Sequence, residues 1–288
     1  MSESVFLAEG ERFVPTDHAR GPWDPQALHG GAPAALMTTA FERVEPGAEL
    51  PIARLGFELL RPIPFAPLSI STRVTRPGRR VQELAGELLA DLGSAGEELI
   101  CRASALRVQP IPDGLPGVPP PWNGSGTATA RGAVAAQAGD PPWAEGAMPG
   151  PDAGKAVRFA LDDPDRTSFA ASAMEMRWLS DPESPGPARV WMRLRHPLVP
   201  DEELTPLSRL TATADFGNGV SAELPFERFL FINADLVIHL HRTPHGEWIG
   251  LDARTLLRGG GMGLAESVLH DIHGPVGRAF QTLVVQPR

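Results

Sequence analysis

The sequence predicts an α+β chain of two similar halves, each a helix wrapped by an antiparallel sheet, fused into one pseudo-dimeric unit. Three observations predict it: a proline-rich break in the middle, a set of segments that occurs twice, and a helix-then-strands order in both halves. Ten of the 31 prolines fall between Pro110 and Pro151. Proline fixes φ and removes a backbone donor, so no sheet can run through such a stretch. The expected organisation is an N-terminal half over 1–110, a Pro/Gly-rich linker over 111–154 and a C-terminal half over 155–288.

The repetition is the most informative feature. Leu55 to Pro62, Gly78-Arg-Arg, Leu89-Ala-Asp91-Leu-Gly93 and Cys101 to Pro110 run through the first half. Asp235 to Arg242, Gly259-Gly-Gly, Leu269-His-Asp271-Ile-His-Gly274 and Gly277 to Pro287 follow in the same order in the second. Arg61 and Asp91 stand 30 positions apart, Arg242 and Asp271 29. That agreement points to an internal duplication.

Within each half a helix comes first. Gly31 to Val44 carries good helix formers on an apolar stripe, with Pro33 in the first turn, where its missing N–H costs little. Leu204 to Phe216 is its counterpart. Strands follow. Val190, Met192 and Leu194 alternate with Arg193 and Arg195, the period of a half-solvated strand, and 231–242, 248–257, 263–272 and 278–286 also read as strands. Asp91 to Gly96 and Asp271 to Gly274 are Asp/Gly turns between antiparallel neighbours. Within 231–242 the alternation predicts Ile232, Ala234, Leu236, Ile238 and Leu240 on one apolar face, with Asn233, Asp235, His239 and His241 opposite.

Composition narrows the function. A net charge of -9 opposes a phosphate backbone, so no nucleic-acid partner is expected. One cysteine, Cys101, excludes an internal disulfide framework and any CxxC motif and is read as an inert strand residue. The N-terminus lacks a basic stretch followed by an apolar one, and no apolar run reaches transmembrane length. A soluble cytoplasmic protein with no membrane partner is expected. There is no GxSxG, GxxxxGK[ST], strand-to-helix GxGxxG or HExxH motif, and Gly259 to Gly263 reads as a strand junction because no helix pattern follows it. His239 and His241 have a spacing that could bind metal but lack an evident third ligand, so no metal is expected.

The candidates for chemistry are polar residues in apolar settings. His29, Gly30 and Gly31 stand just before the first helix. There, two glycines permit close backbone approach and free N–H groups can meet an oxyanion or phosphate; a plain helix-capping turn explains them too. Asp215 falls late in the second helix, where Thr211 and Ala212 give it little to pair with on its own face. A desolvated carboxylate of that kind suits a general base, an exposed helix carboxylate being the alternative. Asn233, a poor strand former, opens a strand, and Gln281 lies between Phe280 and Thr282 in an apolar terminal strand.

Taken together these residues resemble the acyl-CoA thioesterase II family, the double hot-dog thioesterases. Trp23-Asp-Pro-Gln-Ala-Leu-His29-Gly-Gly is similar to the family's Gly-rich approach to the first helix. Thr213-Ala-Asp215, Ile232-Asn-Ala-Asp235 and Phe280-Gln281 match the places of its Asp, Thr and Gln trio, with Asn233 where the better-known members have Thr. The resemblance implies a cofactor-free acyl-CoA hydrolase of fatty-acid metabolism and a homo-oligomer. Asp215, Asn233 and Gln281 would hold and deprotonate a water at the mouth of an acyl-sized cavity, with His29, Gly30 and Gly31 as candidates for the oxyanion or the CoA tunnel. A hot-dog protein that binds acyl groups without turnover is the alternative. A hot-dog dehydratase or hydratase would want a His paired with its Asp, and Asp215 has none close in sequence.

Overall fold

The computed structural model describes residues 3–44, 50–116, 148–157 and 167–288. The expected linker at 111–154 therefore lies for the most part outside the described residues. The first half contributes β1 (Phe6–Glu9), β2 (Arg12–Pro15), α1 (Gly31–Glu42), β3 (Ile52–Leu59), β4 (Leu68–Arg76), β5 (Val81–Asp91) and β6 (Glu97–Val108). Then come β7 (Lys155–Ala156), β8 (Met174–Trp178), β9 (Ala188–Leu194), α2 (Pro206–Ala214), α3 (Gly217–Val220), β10 (Phe229–Asn233), β11 (Asp235–Leu240), β12 (Ile249–Leu256), β13 (Gly263–Asp271) and β14 (Gly274–Pro287).

The strands join edge to edge in a single sheet, ordered β1-β2-β4-β5-β6-β3-β11-β14-β13-β12-β9-β8-β7, with β10 also on β14. Each half repeats one internal order, β4-β5-β6-β3 and β12-β13-β14-β11, and the two meet where β3 pairs antiparallel with β11 around Gly56↔Val237. Outward from that pair the order corresponds over six strands on each side, as a pseudo-twofold requires, with β7 an additional edge strand in the second half. This is the double hot-dog that the duplicated segments predict.

Alternating inward residues of the strands, Leu55, Phe57, Leu84 and Leu88 in one half and Val190, Met192, Leu251 and Leu269 in the other, enclose the helices in a common core. The helices run antiparallel against each other. Thr205, the N-cap of α2, accepts from the Ser208 N–H at 3.0 Å and donates to Glu42 Oε2 at 2.6 Å, tying the start of α2 to the end of α1. Burial pushes the Glu42 carboxyl up, and the Thr205 hydroxyl draws it back down. Arg107 caps the exposed carbonyls at that same end of α1: buried, it donates to Phe41 O and Val44 O at 2.8 Å and to Gln82 Oε1 at 2.9 Å, as a buried cation requires.

Two details go beyond what the spacing and alternation in the sequence convey. Equal spacing does not bring equal pairing: Arg242 grips the buried Asp271 through both guanidinium nitrogens at 2.5 and 2.7 Å, whereas Arg61 pairs with Glu98 and Asp91 with Arg12. The tight turn into Gly274 holds Asp271 inward, while the longer turn after Asp91 carries a 3-10 segment, Gly93–Ala95. The second detail is in β10 and β11. The register on β14 slips by one residue between Asn233↔Leu283 and Val237↔Phe280, the signature of a bulge at Ala234. Ile232 is consequently exposed and Phe231 buried, the reverse of the continuous alternation, and Leu236 and Ile238 face the core after the slip. Asp235 seals the break by accepting from the Thr282 N–H at 2.7 Å.

Candidate active site

Asp215 is the C-cap of α2, at the helix end nearest the start of α1. The approach of the two helices there demands glycine. A Cβ on Gly31 would lie 2.6 Å from Ala212 O, and one on Gly30 would lie 2.9 Å from Asp215 Oδ2. Small residues thus let the amide-rich end of α1 face a carboxylate, where the helix dipole favours negative charge.

The sequence neighbours of Asp215 offer it no partner, but three other elements do. Asn233 Nδ2 donates to Oδ1 at 2.9 Å from the end of β10. Gln281 Nε2, from β14, donates to the same oxygen at 3.1 Å and to Asp215 O at 3.0 Å. The bulge at Ala234 puts Asn233 on the inner side of the sheet with Phe231, which explains how a residue expected to face away from the core reaches α2. Gln281 is itself oriented, since its Oε1 accepts from the Asn218 N–H at 2.9 Å. Gly217 clears space for it, because a Cβ there would sit 3.0 Å from that oxygen and 2.7 Å from Ser267 Oγ.

His29 completes the cluster from the first half. Its Nδ1 lies 3.2 Å from Asp215 Oδ2 and accepts from the Gly31 N–H at 3.1 Å, while its ring stacks on Phe216 with centroids 4.3 Å apart and leans on Phe169. One nitrogen cannot accept from an amide and donate to a carboxylate at once. Nδ1 therefore serves one of these two partners at a time, the Gly31 N–H or Asp215 Oδ2. The capping geometry also narrows the oxyanion candidates. With Nδ1 accepting, Gly31 N–H is spent on it, Ala32 N–H is spent on His29 O at 3.1 Å and Pro33 has none, which leaves the Gly30 N–H as the amide at this helix start with no hydrogen bond among the described residues; with Nδ1 turned to Asp215, the Gly31 N–H is released beside it.

Asn218 is a member the sequence reading missed, although it lies three residues after Asp215, one helical turn on. It donates through Nδ2 to Asn233 Oδ1 at 3.4 Å, and its Oδ1 is buried with no partner among the described residues. The absence of a His close to Asp215 in sequence likewise proved no guide, because His29 arrives across the seam. The side chains converge on one another: Asp215, Gln281, His29 and Asn218 are buried and Asn233 is half-buried. The two clefts described lie elsewhere, one of about 420 Å³ across the outer face of β3 to β6 and β11, the other beside Arg76, Arg79 and Arg80. His239 and His241 are exposed, Cys101 is buried with its thiol pushed up to about 12 by burial and by Glu58, and Gly259 to Gly261 form the β12–β13 turn. Among the described residues no helix is long and apolar enough to cross a membrane.

Comparison with known proteins agrees with this architecture. The family model of the acyl-CoA thioesterase N-terminal domain matches residues 19–108 and that of the acyl-CoA thioesterase C-terminal domain matches residues 151–285. No curated protein sequence matches. Among solved structures, a candidate thioesterase II from Thermobifida fusca aligns over 100% of this chain and 96% of its own, with a TM-score of 0.65 and 16% identity. A hot-dog-fold protein of unknown function from Alicyclobacillus acidocaldarius gives 0.64 at 15% identity, covering 98% of this chain and 95% of that one. The acyl-CoA thioesterase II TesB2 of Mycobacterium marinum gives 0.57 at 17%, covering 98% and 93%. With both of its halves matched in order by that family's two domains, the chain belongs to the acyl-CoA thioesterases, a family of thioester hydrolases.

Proposed function

We propose that the protein hydrolyses an acyl-CoA to the free acid and CoA by direct attack of a water, with Asp215 as general base and no covalent intermediate. The observation that carries this reading is the convergence of Asn233, Gln281 and His29 on the single Asp215 carboxylate. Two amides fix Oδ1, so Oδ2 is the oxygen on which a proton exchanges, and His29 stands beside it to share that proton. The unpartnered Asn218 Oδ1 is an acceptor within this cluster that can take one hydrogen of the water. The Gly30 N–H is the donor for the tetrahedral oxyanion, worth about 3 kcal/mol by analogy with other acyl-transfer sites. A substrate that reaches these atoms must part the residues covering them, Phe216 and Phe169 among the nearest.

In this reading 1–110 and 155–288 act as two hot-dog units that share one site at their seam, joined by 111–154, in a cytoplasmic homo-oligomer. The test is release of free thiol from acyl-CoAs of graded chain length by wild type and Asp215→Asn. Turnover lost in the variant supports the assignment. Saturable binding with no turnover by wild type replaces it with the binding reading. The His29–Asp215 contact favours a second reading, a hydratase or dehydratase, since it supplies the acid–base pair that such chemistry uses. Loss of the conjugated enoyl absorbance from an enoyl thioester, without thiol release, selects that alternative.

A further inference from the structure

Away from the Asp215 cluster, four backbone segments are laced together at the seam of the halves. The N-terminal stretch runs beside the segment after β9 through Val5 N–H to Pro197 O at 3.0 Å and Phe6 N–H to Leu198 O at 2.8 Å. The turn after β2 is held to the segment before β8 by Phe169 N–H to Arg20 O at 2.9 Å. Arg195 N–H reaches Ala173 O at 2.8 Å. This lacing gathers Glu3, His18 and His196 from three of these segments. A ligand-competent atom of each lies within 4.8 Å of the other two, with His196 Nε2 3.7 Å from Glu3 Oε2 and the two imidazoles 4.5 Å apart.

Proton bookkeeping settles the tautomer of His18. The Ser172 hydroxyl has one hydrogen and donates it to Ser168 O at 2.6 Å. Its contact of 2.8 Å with His18 Nδ1 therefore runs the other way, with Nδ1–H donating and Ser172 Oγ accepting. Neutral His18 then carries its lone pair on Nε2. A ring nitrogen freed in this way, by a hydrogen bond that fixes the opposite one, is the arrangement found behind metal-binding histidines.

We infer that Glu3, His18 and His196 form a binding site for a divalent transition-metal ion, zinc by donor type, that staples the N-terminal segment to the C-terminal half. Two imidazoles and one carboxylate suit zinc, nickel or cobalt better than magnesium or calcium, with water completing a tetrahedron. Bonds of about 2.0–2.1 Å place tetrahedral ligands roughly 3.3 Å apart, so separations of up to 4.8 Å must shorten by as much as roughly 1.5 Å, a movement shared between the exposed Glu3 and the half-buried imidazoles. The site stands apart from the acyl chemistry. It connects to it through Phe169, which shares a turn with Ser168 and Ser172 and packs on His29, and through Ala19, next to His18, whose O accepts from the His29 N–H at 3.0 Å.

The experiment is zinc titration of the full, tag-free protein, by calorimetry and by competition with a chromophoric chelator, alongside thermal melts with zinc and with chelator. One equivalent is expected to bind and to raise the melting temperature in proportion to its occupancy. His18→Gln with His196→Gln weakens binding at least 100-fold; Glu3→Gln, at an exposed position that cannot unfold the chain, weakens it about tenfold. Ser172→Ala, which touches no metal, weakens it about 10-fold by freeing the His18 ring. Absence of a stoichiometric site in wild type, or its survival in both the double-histidine and Glu3 variants, overturns the inference. Neither result depends on acyl turnover, so the proposal stands or falls separately from the hydrolase reading.

Discussion

His29 Nδ1 and Asp215 Oδ2 lie 3.2 Å apart, although one opens the helix of the first half and the other closes the helix of the second. The contact exists because Gly30 and Gly31 admit α2 where any side chain would collide with Ala212 O or with the carboxylate itself. It makes the site a property of the seam and not of either half.

Asp215→Asn is expected to lower kcat for thioester hydrolysis by roughly 10²–10⁴-fold, the usual loss of a general base, with an unchanged melting temperature. His29→Gln keeps an acceptor for the Gly31 N–H but cannot share a proton with Asp215, so it should lower kcat for thiol release. A kcat equal to wild type would assign His29 to packing alone.

Gly30→Ala and Gly31→Ala should fail in different ways. A methyl on Gly30 presses on the end of the Asp215 side chain, which can shift, so activity falls with little cost in stability. On Gly31 it meets the Ala212 carbonyl at 2.6 Å, which only a parting of the helices relieves, at about 1–3 kcal/mol. Denaturant unfolding and thiol release measured on both variants separate the two effects.

Asn233→Thr should retain measurable turnover, because a hydroxyl can still donate to Asp215 Oδ1, whereas Asn233→Ala leaves that oxygen with Gln281 alone and should lose tenfold or more. Equal rates in the two variants would show that the donor at this position is dispensable.

His270 gives a pH dependence of stability. It is buried in β13, its Nδ1 has no partner among the described residues, and burial first, then Arg189, Arg242 and Arg278 against the opposing Asp271, lowers it to about 4. Unfolded, the ring titrates near its ordinary 6.5. Above 6.5 both states are neutral and its contribution is full; as pH falls from 6.5 towards 4 the unfolded chain binds the proton first, and roughly 3 kcal/mol is lost. Urea melts across that window should show uptake of one proton on unfolding, and His270→Leu should flatten the slope.

Cys101 should resist alkylation in the native protein and react promptly in urea, since burial and Glu58 hold its thiol near 12. Rapid labelling without denaturant would place it at the surface.

The sequence by itself determined the order of elements, the duplication and the types of the site residues. Each of these is a local or repeated property, read from periodicity, from the proline-rich break and from polar residues where apolar ones belong. Tertiary structure alone decided who meets whom. Asp215 looks partnerless along its own helix face, yet partners arrive from β10, β14 and the start of α1. The bulge at Ala234 that turns Asn233 inward leaves no mark on the hydrophobic alternation, because a one-residue slip is set by pairing with β14. Arg61 and Arg242 occupy matching places and choose different anions, since turn length, invisible to spacing, sets which carboxylate each can reach. Contacts between distant segments depend on packing the whole chain at once, and the glycines that permit the closest of them become intelligible only when the opposing helix is in place.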